Sequence, residues 1–177
     1  MVKDLGIEPV SFKNLGRVEG RFDRIPNSKE INIIIDFAHT PHSMLNLLKT
    51  VNSLKDSNKK IITVFGCAGE RDRFKRPKMG KISSKYSDKV ILTLEDPRSE
   101  TVLDIISEIR QGNQDFAFIT EPDRFRAIYK ALKIAKKGDW VLILGKGHEE
   151  SMSINGKEYP WSDHKAVKKA LKMLKSS

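Results

Sequence analysis

The segment VFGCAGERDRFKRPKMG, residues 64–80, carries Arg71, Arg73, Lys75, Arg76 and Lys78, with Glu70 and Asp72 among them. A loop this cationic faces either open water or an anionic partner, because a guanidinium stays charged and its donors match carboxylates and phosphates. Three other segments carry comparable chemistry. DFAHTP supplies Asp36 and His39, EDPRSE supplies Asp96 and Arg98, and GKGHEE supplies Gly145, His148 and Glu149. Taken singly, most have a plain structural reading. Asp36 and His39 suit a turn and a helix start, and Pro97 makes its segment a turn. His39 and His42 have no carboxylate or thiolate at zinc spacing, so no metal site is expected. GKGHEE has neither GxGxxG nor HExxH spacing. Cys67, beside glycines, reads as a small buried side chain. Arg98 is harder to absorb: a guanidinium flanked by acids is suited to hold a carboxylate bidentately.

The elements that must position these residues are legible. Five runs, 31–37, 59–65, 88–94, 114–120 and 139–144, are nearly continuous in apolar and β-branched residues. Such strands belong to a sheet covered on both faces, usually a parallel one. Helical periods fall between them. Thr40 can cap and Pro41 can begin a helix bearing Met44, Leu45, Leu47, Leu48, Val51 and Leu54. A second stripe, Phe125, Ile128, Leu132 and Ala135, follows Pro122, with Gly138 as a C-cap. Shorter helices are expected at 77–86 and 101–110, Asn155-Gly156 signals a hairpin, and a final helix begins near Ser162. The expected fold is α/β and doubly wound (Rossmann-like), a mostly parallel sheet with helices on both faces and a C-terminal β-hairpin. In such sheets ligands bind beyond the carboxyl ends of the strands. Four polar segments sit at those ends, so the cationic loop should face a shared cleft.

The chain has 177 residues, net charge +10 and one cysteine. That length suits one domain, residues 21–177, with residues 1–20 fitting the pattern poorly. No run approaches the ~20 apolar residues of a membrane helix, and a lone cysteine fits a cytoplasmic protein. The charge suggests nucleic acid as a rival partner, but the basic residues are not interleaved with aromatics for base stacking. Part of the excess is the lysine face of the C-terminal helix. GxxxxGK[ST] does not occur, so any ATP used must be held mainly by something else.

Together, GRVEGRFDRI, DFAHTPHSM, VFGCAGERDRFKRPKMG, EDPRSE, DRFRAI and GKGHEESM resemble the C-terminal domain of the Mur ligases, in order and spacing. The likeness runs from about residue 16 to about residue 165 and is greatest to the members that add the third residue of the peptidoglycan stem peptide. It implies an ATP- and Mg2+-dependent ligase of three domains. There the D-glutamyl carboxyl of UDP-N-acetylmuramoyl-L-Ala-D-Glu is activated as an acyl phosphate, which the amine of a diamino acid attacks. Residues 1–20 would then be a remnant of the central domain, with the N-terminal and central domains as missing partners. The isolated domain would be inactive, with no catalytic residue, tightly bound cofactor or metal of its own, and neither nucleic acid nor membrane would be a partner. By the same resemblance Arg17, Asp36 and His39 face the nucleotide, and Arg71, Asp96, Arg98, Gly145 and Glu149 surround the amino acid.

Family members that use meso-diaminopimelate read DNPR where this chain has EDPR, whereas those using lysine generally lack the arginine. Arg98 therefore implies meso-diaminopimelate, whose distal carboxylate lysine lacks. L-lysine addition, or a freestanding amino-acid-binding domain without catalysis, are the alternatives. Two positions depart from the pattern: Ala68 replaces a usual glycine, and Asp96 a usual asparagine. The added charge of Asp96 would either bind a distal ammonium or pair with Arg98.

Overall fold

A computed structural model describes residues 20–175. The elements are β1 (Asp23–Ile25), β2 (Asn32–Asp36), α1 (Pro41–Leu54), β3 (Ile61–Phe65), α2 (Lys75–Tyr86), β4 (Lys89–Leu92), α3 (Val102–Arg110), β5 (Ile119–Thr120), α4 (Arg124–Ile134), β6 (Trp140–Leu144), β7 (Ser151–Ile154), β8 (Lys157–Pro160) and α5 (Asp163–Lys175). The main sheet has the order β1-β2-β6-β3-β4-β5. All its pairings are parallel except β1 with β2. The hairpin β7–β8 forms a separate two-stranded sheet.

Alternation along the strands builds a core on each face. Ile34, Ile61 and Phe65 join α1, α2 and α3 through Met44, Leu48, Met79 and Ile106. Ile33, Ile35, Ile62 and Val64 join α4 and α5 through Ile128, Leu132, Val167 and Ala170. The doubly wound architecture expected from the apolar runs is therefore present. Thr40 caps α1 in a reciprocal box with Ser43, and Pro41 opens the helix; Thr101 and Asp123 cap α3 and α4.

Several details differ from the sequence expectation. The edge strand β1 is antiparallel and three residues long, too short to show a period in the sequence. The run 114–120 yields only Ile119–Thr120 as strand, because Phe116 and Phe118 pack edge-to-face at 4.9 Å against the α1–α3 core. Gly138 is not the cap of α4. The cap is Ala135, and Gly138 (φ 83°) lies in a following turn held by the Asp139 carboxylate, which accepts from the Lys136 N–H at 2.9 Å. The expected remnant at residues 1–20 lies outside the described residues except for Gly20. The Gly20 carbonyl accepts from the Phe37 N–H at 2.8 Å, and its lack of a side chain lets the His148 backbone pass.

One buried ion pair joins the second core to the strand ends. Arg124 and Asp163 are both buried. The guanidinium donates to both carboxylate oxygens, from Nε at 2.8 Å and Nη2 at 2.7 Å. It also donates to the Leu94 and Leu144 carbonyls, at 3.2 and 3.0 Å. Trp161 Nε1 donates to the same carboxylate at 2.8 Å. Removing one member strands a buried charge, at a cost of ~3–5 kcal/mol. Asp163→Ala is therefore expected to lower the unfolding free energy by about that much, read as a reduced urea midpoint with an unchanged slope.

Candidate functional site

The loops after β2, β3, β4 and β6 converge on one cavity of about 600 Å³ beyond the carboxyl edge of the sheet. Phe37, His39 and Thr40 come from the first loop, Ala68, Arg71, Asp72 and Lys75 from the second and the start of α2. Glu95, Asp96 and Arg98 come from the third, Gly145 and Glu149 from the fourth. The shared cleft expected from the strand-end segments is thus present, but the cationic loop divides between two tasks.

Arg76 points inward and is fully buried. Its guanidinium donates to both Glu100 oxygens at 2.7 and 2.9 Å, to Glu108 at 2.9 Å, and to the Ala68 carbonyl at 3.0 Å. These donations hold the Glu100 carboxyl down at a pKa of about 2, against the desolvation that opposes them. Arg73 pairs with Glu108, and Glu70 accepts from the Ser99 N–H at 3.1 Å and from its hydroxyl. These ties brace the loop after β3 against the segment after β4. Lys78 is exposed on α2, away from the cavity lining. Arg71 and Arg98 remain: both line the cavity, and neither guanidinium makes an ion pair or hydrogen bond among the described residues.

The backbone of Arg98 is held in the left-handed region, φ 52°, a conformation costing an L-residue ~1–2 kcal/mol. The hairpin enforces it. Arg98 forms a parallel bridge with Ile154, donating to the Ser153 carbonyl at 3.1 Å and accepting from the Asn155 N–H at 2.7 Å.

Asp96 is tied to a neighbouring loop. It does not pair with Arg98. Lys146, buried between Gly145 and Gly147, donates to both Asp96 oxygens at 2.9 and 3.0 Å and pairs with Glu149 at 2.9 Å. The Ser153 N–H adds a third donor to Asp96 at 3.0 Å. Gly145 has φ 110°, and a Cβ there would lie 2.4 Å from Glu95 Oε2.

Of the three residues expected to face a nucleotide, His39 lines the cavity, with Nδ1 2.9 Å from the Phe37 carbonyl. Lys75 donates to the His39 carbonyl at 2.8 Å. Asp36 is committed to the backbone, accepting from the Phe22 and Ala38 N–H groups at 2.7 and 2.8 Å. Arg17 lies outside the described residues. Cys67 is buried, and burial pushes its thiol up to about 12, which fits the packing role expected of it. Among the described residues no three His, Cys, Asp or Glu side chains cluster as a metal group.

Sequence reasoning missed Glu95. It is buried, lines the cavity, and its Oε2 has no hydrogen-bond partner. Burial raises its pKa to about 7, with Asp96 adding and Arg124, Lys75 and Lys146 opposing. Its place one residue before Asp96 was the available signal.

A family profile described as "Mur ligase, glutamate ligase domain" matches residues 20–147. The chain belongs to the Mur ligase family. A relative from Aquifex aeolicus (strain VF5), named UDP-N-acetylmuramoyl-L-alanyl-D-glutamate--2,6-diaminopimelate ligase, is 46% identical over 170 residues, covering 94% of this chain and 35% of the relative. One of the same name from Lawsonia intracellularis is 41% identical, covering 94% and 35%. A solved ligase of that name superposes with TM-score 0.82 at 33% identity, over 90% of this chain and 33% of that one. A folylpolyglutamate synthase/dihydrofolate synthase from Yersinia pestis shares the fold, with TM-score 0.58 at 20% identity over 75% of this chain and 29% of its own. This Mur ligase chain therefore spans about a third of the length of the curated relatives it matches.

The Glu95 carboxyl gives a pH signature. Its folded pKa, about 7, lies above the ordinary 4.5, so between these values the folded chain holds a proton that the unfolded chain has released. Stability then falls as pH rises through that window. Urea midpoints at pH 5 and pH 8 should show this loss in the unaltered chain, and Glu95→Gln should flatten it.

Proposed function

We propose that this chain is the amino-acid-receiving domain of an ATP-dependent ligase that joins meso-diaminopimelate to UDP-N-acetylmuramoyl-L-alanyl-D-glutamate. The observation that carries the reading is the pair of uncommitted guanidinia, Arg71 and Arg98, on one cavity with Glu149. Meso-diaminopimelate has two carboxylates and two ammonium groups. In this reading Arg98 holds the distal carboxylate and Arg71 the other, while Glu149 takes the distal ammonium, leaving the remaining amine as nucleophile. L-Lysine has one carboxylate and would leave one guanidinium without its partner, a penalty that sites built around a polar group use to reject analogues. The names of the relatives support the same substrate.

In such a ligase ATP and Mg2+ supply activation of the D-glutamyl carboxyl as an acyl phosphate. The described residues do not fit a triphosphate cradle: Asp36 is spent on backbone amides, leaving His39 and Lys75 at the rim. The nucleotide and metal would therefore sit mainly on the remaining two thirds of the ligase, which is the partner this domain requires. The reading places the enzyme in the cytoplasm, where its nucleotide-linked substrate is made; no helix among the described residues is long and apolar enough to cross a membrane.

An amide-resolved NMR titration tests this. Meso-diaminopimelate should shift the Arg98 and Glu149 amides at concentrations at least about tenfold below those L-lysine needs, and Arg98→Ala should erase the difference. Equal responses to both ligands would refute the substrate assignment. The purified chain alone should form no amide product from ATP, UDP-N-acetylmuramoyl-L-alanyl-D-glutamate and meso-diaminopimelate, and measurable ligation would show that the domain is self-sufficient.

A further inference from the structure

An acidic residue beside the specificity arginine is a liability for carboxylate recognition. Asp96 precedes Arg98 by two positions, lines the same cavity, and brings a full negative charge where the related motif carries a neutral amide. Left alone, that charge would draw Arg98 onto itself or attract a ligand ammonium. Either outcome favours lysine, which ends in an ammonium, over diaminopimelate, which ends in a zwitterion.

The structure holds the charge elsewhere. Lys146 is 2% exposed, and its ammonium reaches both Asp96 oxygens at 2.9 and 3.0 Å while also contacting Glu149 at 2.9 Å. An ammonium has three protons to donate, and these three contacts account for all of them. Asp96 gains a further donor in the Ser153 N–H at 3.0 Å, so three donor contacts from the protein converge on its two oxygens. Its own carbonyl accepts from the Gly69 N–H at 2.8 Å, fixing the backbone from which it projects. Arg98 meanwhile has no ion-pair partner among the described residues.

We infer that Lys146 is a specificity-determining residue: by neutralising Asp96 from within, it keeps Arg98 free for the distal carboxylate and makes this EDPR site discriminate as an asparagine-bearing site would. The inference rests on the amino-acid reading proposed above. It assigns Lys146 a positioning role, acting on the ligand through Asp96 and Arg98.

The test compares dissociation constants for meso-diaminopimelate and L-lysine in the 177-residue chain and three variants, with amide spectra confirming that each folds. Asp96→Asn should leave the preference within about twofold of the unaltered chain, since the carboxylate is already neutralised. Lys146→Gln should reduce a preference of about tenfold or more to near unity. The double variant D96N/K146Q should recover it, because removing the acid removes the need for the cation. Stability alone does not move the ratio of two affinities in one folded variant. A preference retained in Lys146→Gln, or not recovered in the double variant, overturns the inference while the substrate reading stands. A marked loss of lysine binding in Asp96→Asn also overturns it, since that would make Asp96 a direct ligand of the ammonium. Should Lys146→Gln fail to fold, this single-variant arm still decides. Equal affinities in the unaltered chain overturn the substrate reading, and the inference with it.

Discussion

The geometry of the cavity depends on a cation that never touches it. The Arg124 guanidinium sits at the junction of α4, α5 and the carboxyl ends of two strands. It reaches the Leu94 carbonyl just before Glu95 and the Leu144 carbonyl just before Gly145. Leu144 ends β6 and Leu94 lies two residues beyond β4, where ladder partners run out and buried acceptors need donors from elsewhere. Asp163 supplies the compensating charge. Desolvating such a pair is favourable only when every donor and acceptor is used, and here the guanidinium serves two carbonyls as well as the carboxylate. Where the two critical loops start is thus set by the far face of the sheet.

Two further buried cations extend the same device toward the cavity. Arg76 ties the Ala68 carbonyl to Glu100 and Glu108, so the loop after β3 cannot shift independently of the segment carrying Arg98. Lys146 ties the loop after β6 to Asp96 and, through the Ser153 amide, to the hairpin. The hairpin in turn holds Arg98 in a left-handed conformation that it would not adopt alone. The consequence is electrostatic as well as geometric. Arg76, Arg124 and Lys146 are matched internally, while Arg71 and Arg98 line the cavity with no ion-pair partner among the described residues. Glu95 stands apart, buried with one oxygen unpartnered and titrating near neutrality.

Much of this architecture was legible in the chain. The apolar runs of β2, β3, β4 and β6 are buried on both faces, so their composition announces a covered parallel sheet. The Thr40-Pro41 start of α1 and the Asn155-Gly156 turn are local chemistry, readable without neighbours. β5 and β1 were not legible at their true lengths. Two or three residues leave no period to read, and Phe116 and Phe118 satisfy themselves in the core rather than in a ladder. The convergence of Arg71, Asp96, Arg98, Gly145 and Glu149 followed from topology, because parallel strands bring their carboxyl ends to one rim.

What the sequence by itself determined was which residues could carry chemistry and at which edge of the sheet they would stand. Strand order and apolar patterning are enough for that, being set by local period and by burial of whole faces. Only the tertiary structure decided which of the charges are spent inside the protein. Arg73 and Arg76 look the same as Arg71 along the chain. Glu108 lies 32 residues from Arg76, and Asp96 50 residues from Lys146. A charge is neutralised by whatever lies within a few ångströms of it, and distance along the chain carries no information about that.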